Sequence, residues 1–472
     1  MPDIIVIGGG PGGTAAATRA AQLGAQVTLI ERAELGGNCV NRNCIPLTTL
    51  LASVELYRRI GQAGDLGIQV GPAALSIPGM IARKNRIVQN LREGLVGLLP
   101  TFGIETVPGQ ARLVDAKTVQ VDGQQLQASR AIILATGARW APLPAGVEEV
   151  WRPDEALQLA PLPGRLLIWG GGASDVEFAT LYAALGSQVT LAVDGPYPLP
   201  DEDYEIGQRL QGMLQNQGIQ VLTGVRVKSA TRTNGGPDRL PGQTSAPAGG
   251  LEVILAGLKG ETPIVVDKLL WAGRVPATDG LGLEQVGVSL KDGAPTAVGV
   301  DDCMQTSAPG IYAVGDLTGG RMYSSLATAG GLVAAENAMG RRRCLDRRAV
   351  PRYVFSIPEV AAVGLSEDEA TDQGYDVEVA NVAYGTNARA MGLAEDEGGI
   401  KLVVDRALGK VLGVHIVGHR ATELIAEATL GIQLEVLAED FAWAIRIHPT
   451  LSESMMEAGR AILGQALYLP KL

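Results

Sequence analysis

The chain has 472 residues, 46% of them hydrophobic and 19% charged, which supports several buried cores and excludes a disordered chain. Asp and Glu outnumber Lys and Arg by 50 to 39, and the resulting charge of −11 repels a phosphate backbone, so no nucleic-acid partner is expected. No apolar run reaches the roughly 18 residues of a membrane helix, so no membrane partner is expected either. Glycine is over-used, with 62 residues against a usual share of ~7%.

The chain opens on an apolar, β-branched run, Ile4–Ile7, with no basic and apolar leader before it. Gly8-Gly9-Gly10-Pro11-Gly12-Gly13 follows as a turn, then an Ala-rich helical stretch over 14–23 and a strand over 26–30 ending at Glu31. Gly8, Gly10 and Gly13 have G-x-G-x-x-G spacing directly after a strand. That spacing lets a pyrophosphate approach a helix N-terminus, while an acid at the end of the next strand accepts from a ribose hydroxyl. The reading is a dinucleotide site.

Next comes Gly36-Gly37-Asn38-Cys39-Val40-Asn41-Arg42-Asn43-Cys44-Ile45-Pro46. Thiols at i and i+5 can close a disulfide over one distorted helical turn, and the spacing alone leaves redox, metal-binding and structural roles open. Cys303 and Cys344 stand apart in the sequence and read as small buried hydrophobes. Four cysteines in so long a chain suit a reduced, cytoplasmic protein.

The opening pattern returns 162 residues later. Leu166-Leu167-Ile168-Trp169 precedes Gly170-Gly171-Gly172, and Leu23-Gly24-Ala25-Gln26-Val27-Thr28-Leu29 is echoed by Leu185-Gly186-Ser187-Gln188-Val189-Thr190-Leu191. Two βαβ units imply two nucleotide-binding domains on parallel sheets. The Thr, Asn, Gly, Pro and Ser-rich segment 228–251 reads as an exposed hairpin tip or a disordered insertion. The arginines at 341, 342, 343, 347 and 348 read as a solvated inter-domain connection. Beyond about 350, strand-like runs over 401–404 and 411–417 and a helical run over 422–437 indicate a third, α+β unit. The fold class expected is therefore α/β: two Rossmann-like domains plus a C-terminal α+β domain, divided as 1–145, 146–275, 276–345 and 346–472.

Taken together, these motifs resemble the flavin-dependent pyridine nucleotide-disulfide oxidoreductases, above all their dihydrolipoamide dehydrogenase branch. The resemblance rests on the first glycine turn, the GGxCxxxxCIP segment, Ala135-Thr136-Gly137, Gly315-Asp316, and His448-Pro449-Thr450-Leu451-Ser452-Glu453. It implies FAD bound by Gly8, Gly10, Gly13, Glu31, Gly37, Thr136, Gly137, Asp316 and Ala327, with Asp316 holding the ribityl chain. It also implies a redox disulfide in which Cys39 faces the substrate and Cys44 the flavin, and a base, His448, oriented by Glu453. A homodimer is implied, acting on a lipoyl-bearing carrier or a small dithiol or disulfide. His415 and His419 read as structural.

Three positions and one short segment depart from the family pattern. Asp175 stands where the second turn would have its third glycine, and a carboxylate near a pyrophosphate opposes binding by roughly 3 kcal/mol at ~5 Å and an effective dielectric of ~20; the alternative is that it caps its helix. Val193, not an acid, matches Glu31, and Asp194 follows one residue later. Thr48 replaces a lysine beside the flavin, while the lysine's partner persists as Glu177, a carboxylate expected to be harder to ionise if buried. Ser324-Ser325-Leu326-Ala327 also replaces the family's Ala-His-Lys-Ala. The expectation is dithiol–flavin exchange with impaired or absent use of NAD, set against an ordinary NAD-dependent enzyme or a non-catalytic flavin-bound regulator.

Overall fold

A computed structural model describes residues 1–233, 250–258 and 260–469. The chain forms two compact units, one from Met1–Thr49, Ile81–Pro142 and Gly273–Arg347, the other from Leu50–Met80, Leu143–Ala272 and Arg348–Leu472.

In the first unit a five-stranded parallel sheet has the order Ile311–Ala313, Ala131–Leu134, Ile4–Ile7, Val27–Glu31, Glu105–Pro108. Ile4 pairs with Val27 on one side and Ala131 on the other, so Ile4–Ile7 is central and all four residues are buried. Continuous apolar runs suit a sheet covered on both faces. The helix Pro11–Gln22 packs its alanines, Ala16, Ala17 and Ala20, into the core on one face. The long connection between the second and third strands carries the two cysteines and two helices, Cys44–Gly61 and Ile77–Leu98.

The second unit holds a four-stranded parallel sheet in the order Gln220–Thr223, Gln188–Val193, Arg165–Trp169, Lys268–Leu270. The expected repeat is therefore a spatial one. Gly9 faces Glu31, whose Cβ lies 3.4 Å from a Cβ built on that glycine, and Gly171 faces Val193 Cγ1 at 2.6 Å in the same way. The strand Val225–Arg232 pairs antiparallel with Leu251–Gly257, which places 228–232 and 251 in regular strands; 234–249, the rest of the expected tip, lies outside the described residues.

The same unit carries a five-stranded antiparallel sheet in the order Arg352–Val354, Val360–Gly364, Lys410–Gly418, Gly398–Asp405, Val377–Ala383. The two central strands contain the expected runs and extend them by a few residues. The following helix, Ala421–Leu434, ends three residues short of the expectation because Glu435 turns left-handed at φ 57° and starts a new direction. Lys401 is nearly fully buried in this sheet and is neutralised by Asp203, Glu205 and Glu367 at 3.1, 3.2 and 2.6 Å. Such a cation is tolerated inside only because it is paired.

Among the described residues no helix is long and apolar enough to cross a membrane, and no group of three or more His, Cys, Asp or Glu side chains is arranged to hold a metal ion.

Candidate active site

A single cleft in the first unit starts at Glu31, crosses the first glycine turn and reaches the two cysteines and Asp316. It brings together Gly8, Gly10, Glu31, Gly37, Cys39, Cys44, Thr136, Gly137, Asp316 and Ala327. Gly13 lies under its floor. A Cβ there would meet the Gly8 carbonyl oxygen at 1.8 Å, and Gly8 itself has φ +108° with the Ala135 carbonyl oxygen 2.3 Å from its built Cβ. Only glycine permits this turn. No side chain caps the helix at Gly10, so the amides of its N-terminus remain for an anion. Glu31 is held at its strand end by two amides, Gly9 N–H donating at 2.6 Å and Ala33 N–H at 2.8 Å. An open helix N-terminus, a glycine cradle and a fixed carboxylate beside a dithiol fit the adenine dinucleotide end and the reactive end of FAD.

The cysteines sit on separate helices rather than on one distorted turn. Cys39 belongs to the short helix Gly37–Asn41, the chain breaks at Arg42 with φ −138°, and Cys44 opens the helix Cys44–Gly61. Both are thiols, so the disulfide expected between them is not formed; instead the Cys44 S–H hydrogen-bonds Cys39. That hydrogen bond is the largest influence on the Cys39 thiol and lowers its pKa. Burial is the next largest influence and opposes it, followed by a hydrogen bond from Ser324, which lowers the pKa, and by the smaller and opposed effects of Asp316, which raises it, and Arg274, which lowers it. The net effect brings Cys39 down to about 7. Burial pushes Asp316 up, against the pull of Arg274, whose guanidinium lies 3.1 Å away.

The structure corrects the reading of the other two cysteines. Cys303 and Cys344 form a disulfide with their Cα atoms 4.2 Å apart, and Cys344 is exposed, so they are not lone buried hydrophobes. A loop beside the sheet and the segment leaving the helix Ser324–Ala338 bring them together, and neither cysteine lines the cleft.

Of the two residues expected beside the flavin, Thr48 belongs to the same unit and does not line it. The Thr48 hydroxyl donates to the carbonyl oxygens of Cys44 and Ile45 at 2.8 and 3.3 Å, a back-bond within its own helix. Glu177, in the second unit, is buried and accepts from the Phe355 amide at 2.9 Å, so the carboxylate that lacks its lysine has a backbone donor.

In the second unit, Asp175 behaves as the cap. Its carboxylate turns back to accept from the Gly172 amide at 3.0 Å, so the second turn's helix N-terminus carries its own anion where the first is open. Val193 is buried and offers no acceptor, and Asp194 is exposed.

His448 and Glu453 also belong to the second unit. His448 Nδ1 donates to Glu453 Oε1 at 3.0 Å, and the other carboxylate oxygen accepts from the Thr450 amide at 2.8 Å. Burial would raise Glu453, but the amide and the imidazole hold it below the usual carboxylate range. Fixing Nδ1 as the donor leaves Nε2 as the basic nitrogen of a ring that is 72% exposed. His415, by contrast, is fully buried with Nε2 2.9 Å from the Leu365 carbonyl oxygen, and burial pushes it down to about 4, consistent with a structural role.

Arg274 is a site residue that the motifs do not single out. Its signal is a lone cation directly after an apolar strand, in Leu270-Trp271-Ala272-Gly273-Arg274.

A family model described as pyridine nucleotide-disulphide oxidoreductase matches residues 2–339, and one for the dimerisation domain of the same enzymes matches 350–459. A dihydrolipoyl dehydrogenase of Thermus scotoductus is 39% identical, covering 99% of this chain and 98% of its own; one of Geobacillus stearothermophilus is 35% identical over 99% and 97%. Among solved structures, LpdA of Mycobacterium tuberculosis superposes with a TM-score of 0.86 at 29% identity, over 97% of this chain and 99% of that one. The HOCl-induced flavoprotein disulfide reductase RclA of Escherichia coli gives 0.81 at 27% identity, over the same shares.

Proposed function

Because the chain belongs to the pyridine nucleotide-disulphide oxidoreductase family, we propose that it is an FAD-dependent dithiol oxidoreductase of the dihydrolipoamide dehydrogenase type. The observation that carries this reading is the contact between the Cys39 and Cys44 thiols in the same cleft as the open glycine turn and Glu31. FAD held there by Gly8, Gly10, Glu31, Gly37, Thr136, Gly137, Asp316 and Ala327 would supply two-electron redox chemistry to the dithiol. Gly13 supports the turn from below.

On this reading, Cys39 exchanges with a lipoyl-type dithiol or disulfide, and Cys44 closes and opens the Cys39–Cys44 bond. His448 Nε2 takes the proton that a substrate thiol must lose before it attacks, and Glu453 stabilises the resulting imidazolium. The protein works as a homodimer, with residues 346–472 as the interface and the His448–Glu453 pair serving the other subunit's dithiol. Residues 1–145 with 276–345 would carry the flavin and 146–275 the nicotinamide nucleotide. The low cysteine content suits a cytoplasmic setting for that work.

The acceptor in this reading is a nicotinamide nucleotide, as the family's description has it. A second reading, in which nucleotide binding is too weak to sustain turnover, is favoured by Asp175 capping the Gly172 amide and by Val193 opposite Gly171. Steady-state oxidation of dihydrolipoamide separates the two readings. Turnover that saturates with NAD⁺ supports the first. Turnover only with an artificial acceptor supports the second, and no turnover with any acceptor overturns both.

A further inference from the structure

We propose that Cys303–Cys344 is a second thiol–disulfide exchange site, on the surface of the first unit, opened by small external thiols that attack the Cys344 sulfur. It takes its electrons directly from those thiols and not from the cleft.

The site is separate from the two cleft thiols. The helix Ser324–Ala338 brings Ser324 and Ala327 to the cleft, whereas Asn337, near its other end, holds the backbone around Cys303. The helical run from Ala327 to Asn337 is about 15 Å long. Exchange requires one sulfur to reach another, so Cys39 and Cys44 are out of range of this bond.

The chain on either side of the bond is held together without it. Asn337 Nδ2 donates to the carbonyl oxygens of Cys303 and Arg343 at 2.9 and 2.6 Å, and its Oδ1 accepts from the Arg343 amide at 3.0 Å. The Leu345 amide donates to the Asp302 carbonyl oxygen at 2.9 Å, and Arg347 Nε lies 2.6 Å from the Asp302 carboxylate. Residues flanking both cysteines are thus fixed against each other by polar contacts. Breaking the S–S bond leaves two thiols in place to close it again, which suits a reversible couple.

The two sulfurs differ in access. Cys344 is exposed, while Cys303 is half-buried next to the buried Met304. Arg342 and Arg343, both exposed, directly precede Cys344 and favour its thiolate, and Asp346, two residues on, opposes them. The other acids close by are engaged: Asp302 with Arg347, Glu336 with Arg19 and Arg341, and Asp301 with the Cys303 and Gln305 amides.

In the opening step the thiolate of a small thiol bonds to Cys344 Sγ. The Cys303–Cys344 bond breaks, and the Cys303 sulfur departs as a thiolate and takes up the proton that the attacking thiol lost. A second thiol, from another molecule or from the same dithiol, attacks the external sulfur now bound to Cys344 and releases the Cys344 thiolate. Two thiols are oxidised to one disulfide, two electrons enter the Cys303–Cys344 pair, and the reverse sequence closes it.

The test is equilibration of the flavin-loaded full chain, without denaturant, in glutathione buffers of stepped reduced-to-oxidised ratio. Iodoacetamide quenching and peptide mass spectrometry then report the state of Cys303 and Cys344. The pair is expected to pass from disulfide to dithiol across the series and to return when the ratio is reversed, with the same midpoint in Cys44→Ser. With one cysteine left at the site, Cys303→Ser should form a mixed disulfide with oxidised glutathione at Cys344 about tenfold faster than Cys344→Ser forms one at Cys303, the effect of access. A bond that stays closed until urea is added would overturn the proposal, as would thiols that remain unpaired in the most oxidising buffer. Equal trapping rates would remove Cys344 as the point of attack, and a displaced midpoint in Cys44→Ser would show electrons arriving through the cleft. The titration needs only the unaltered chain, so it stands if a variant fails to fold. It uses neither a lipoyl substrate nor a nicotinamide nucleotide, so its failure is distinguishable from failure of the proposed activity.

Discussion

Glu31 and Val193 occupy the same place in two copies of one unit, each under the second glycine of its turn, and the difference between them is one of ligand chemistry rather than of fold. The carboxylate fixes two amides and still offers lone pairs to a ribose; the valine offers a methyl surface. Asp175 sharpens the contrast, because its oxygen occupies the Gly172 amide that a pyrophosphate would approach. Asp175→Gly should therefore tighten NADH binding by roughly 10- to 100-fold, the size of one removed like-charge contact, while costing about 1 kcal/mol of stability from the lost cap. NADH fluorescence titration with parallel urea unfolding checks both; unchanged NADH affinity would show that the carboxylate does not oppose the nucleotide. The sequence displays the charge at 175 but not its direction, since whether a carboxylate faces a ligand or its own helix depends on a side-chain rotation that no motif encodes. Cys303 and Cys344 illustrate a different limit. They are 41 residues apart, and their bond depends on a loop and a helix exit that meet only in the folded unit.

At the scale of elements, the parts held together by local rules were the legible ones. A β-branched run, a glycine turn and an Ala-rich helix within 22 residues specify the first βαβ unit, and its offset copy specifies the second. The overrun at 422–437 shows where periodicity misleads: apolar spacing continues past Leu434, but the backbone turns at Glu435. Lys401 was invisible for a related reason. A lysine in a strand reads as exposed until Asp203, from a distant helix start, is placed against it.

The strand Lys410–Gly418 carries a pH-dependent contribution of its own. His415 is held near 4 against an ordinary value of 6.5, mainly by burial and by Arg352, with Asp203 opposing and Lys401 adding to the depression. Between those values the unfolded chain binds a proton that the folded chain does not. Stability is thus complete above 6.5 and falls as the pH drops towards 4, by about 1.4 kcal/mol per pH unit and roughly 3 kcal/mol in all. Urea midpoints over this window should slope for the unaltered protein and flatten in His415→Gln, leaving a smaller slope from His419, which burial also lowers. Equal slopes in the two proteins would remove His415 as the source.

At the scale of the whole molecule, the chain matches its relatives over nearly its full length, with the two-thiol cleft and the first glycine turn in one unit, and the second glycine turn, the His448–Glu453 pair and the sheet that falls within the dimerisation-domain match in the other. In the proposed function the first unit exchanges electrons with sulfur, and the second supplies the proton acceptor, the contact between subunits and the exit for the electrons. The departures from the family pattern at Asp175 and Val193 lie in the second unit and those at Thr48 and 324–327 in the first, whose two thiols line one cleft with Glu31 and Asp316. The central claim is that Cys39 and Cys44 carry electrons between an external dithiol and the flavin. The most direct measurement is the flavin absorbance of the FAD-loaded protein mixed anaerobically with dihydrolipoamide, for the unaltered chain and for Cys44→Ser. Rapid reduction in the unaltered protein and a loss of at least about a thousandfold in Cys44→Ser is the predicted result, as expected when a covalent step is removed. Absence of reduction in the unaltered protein, or equal reduction in both, would contradict it.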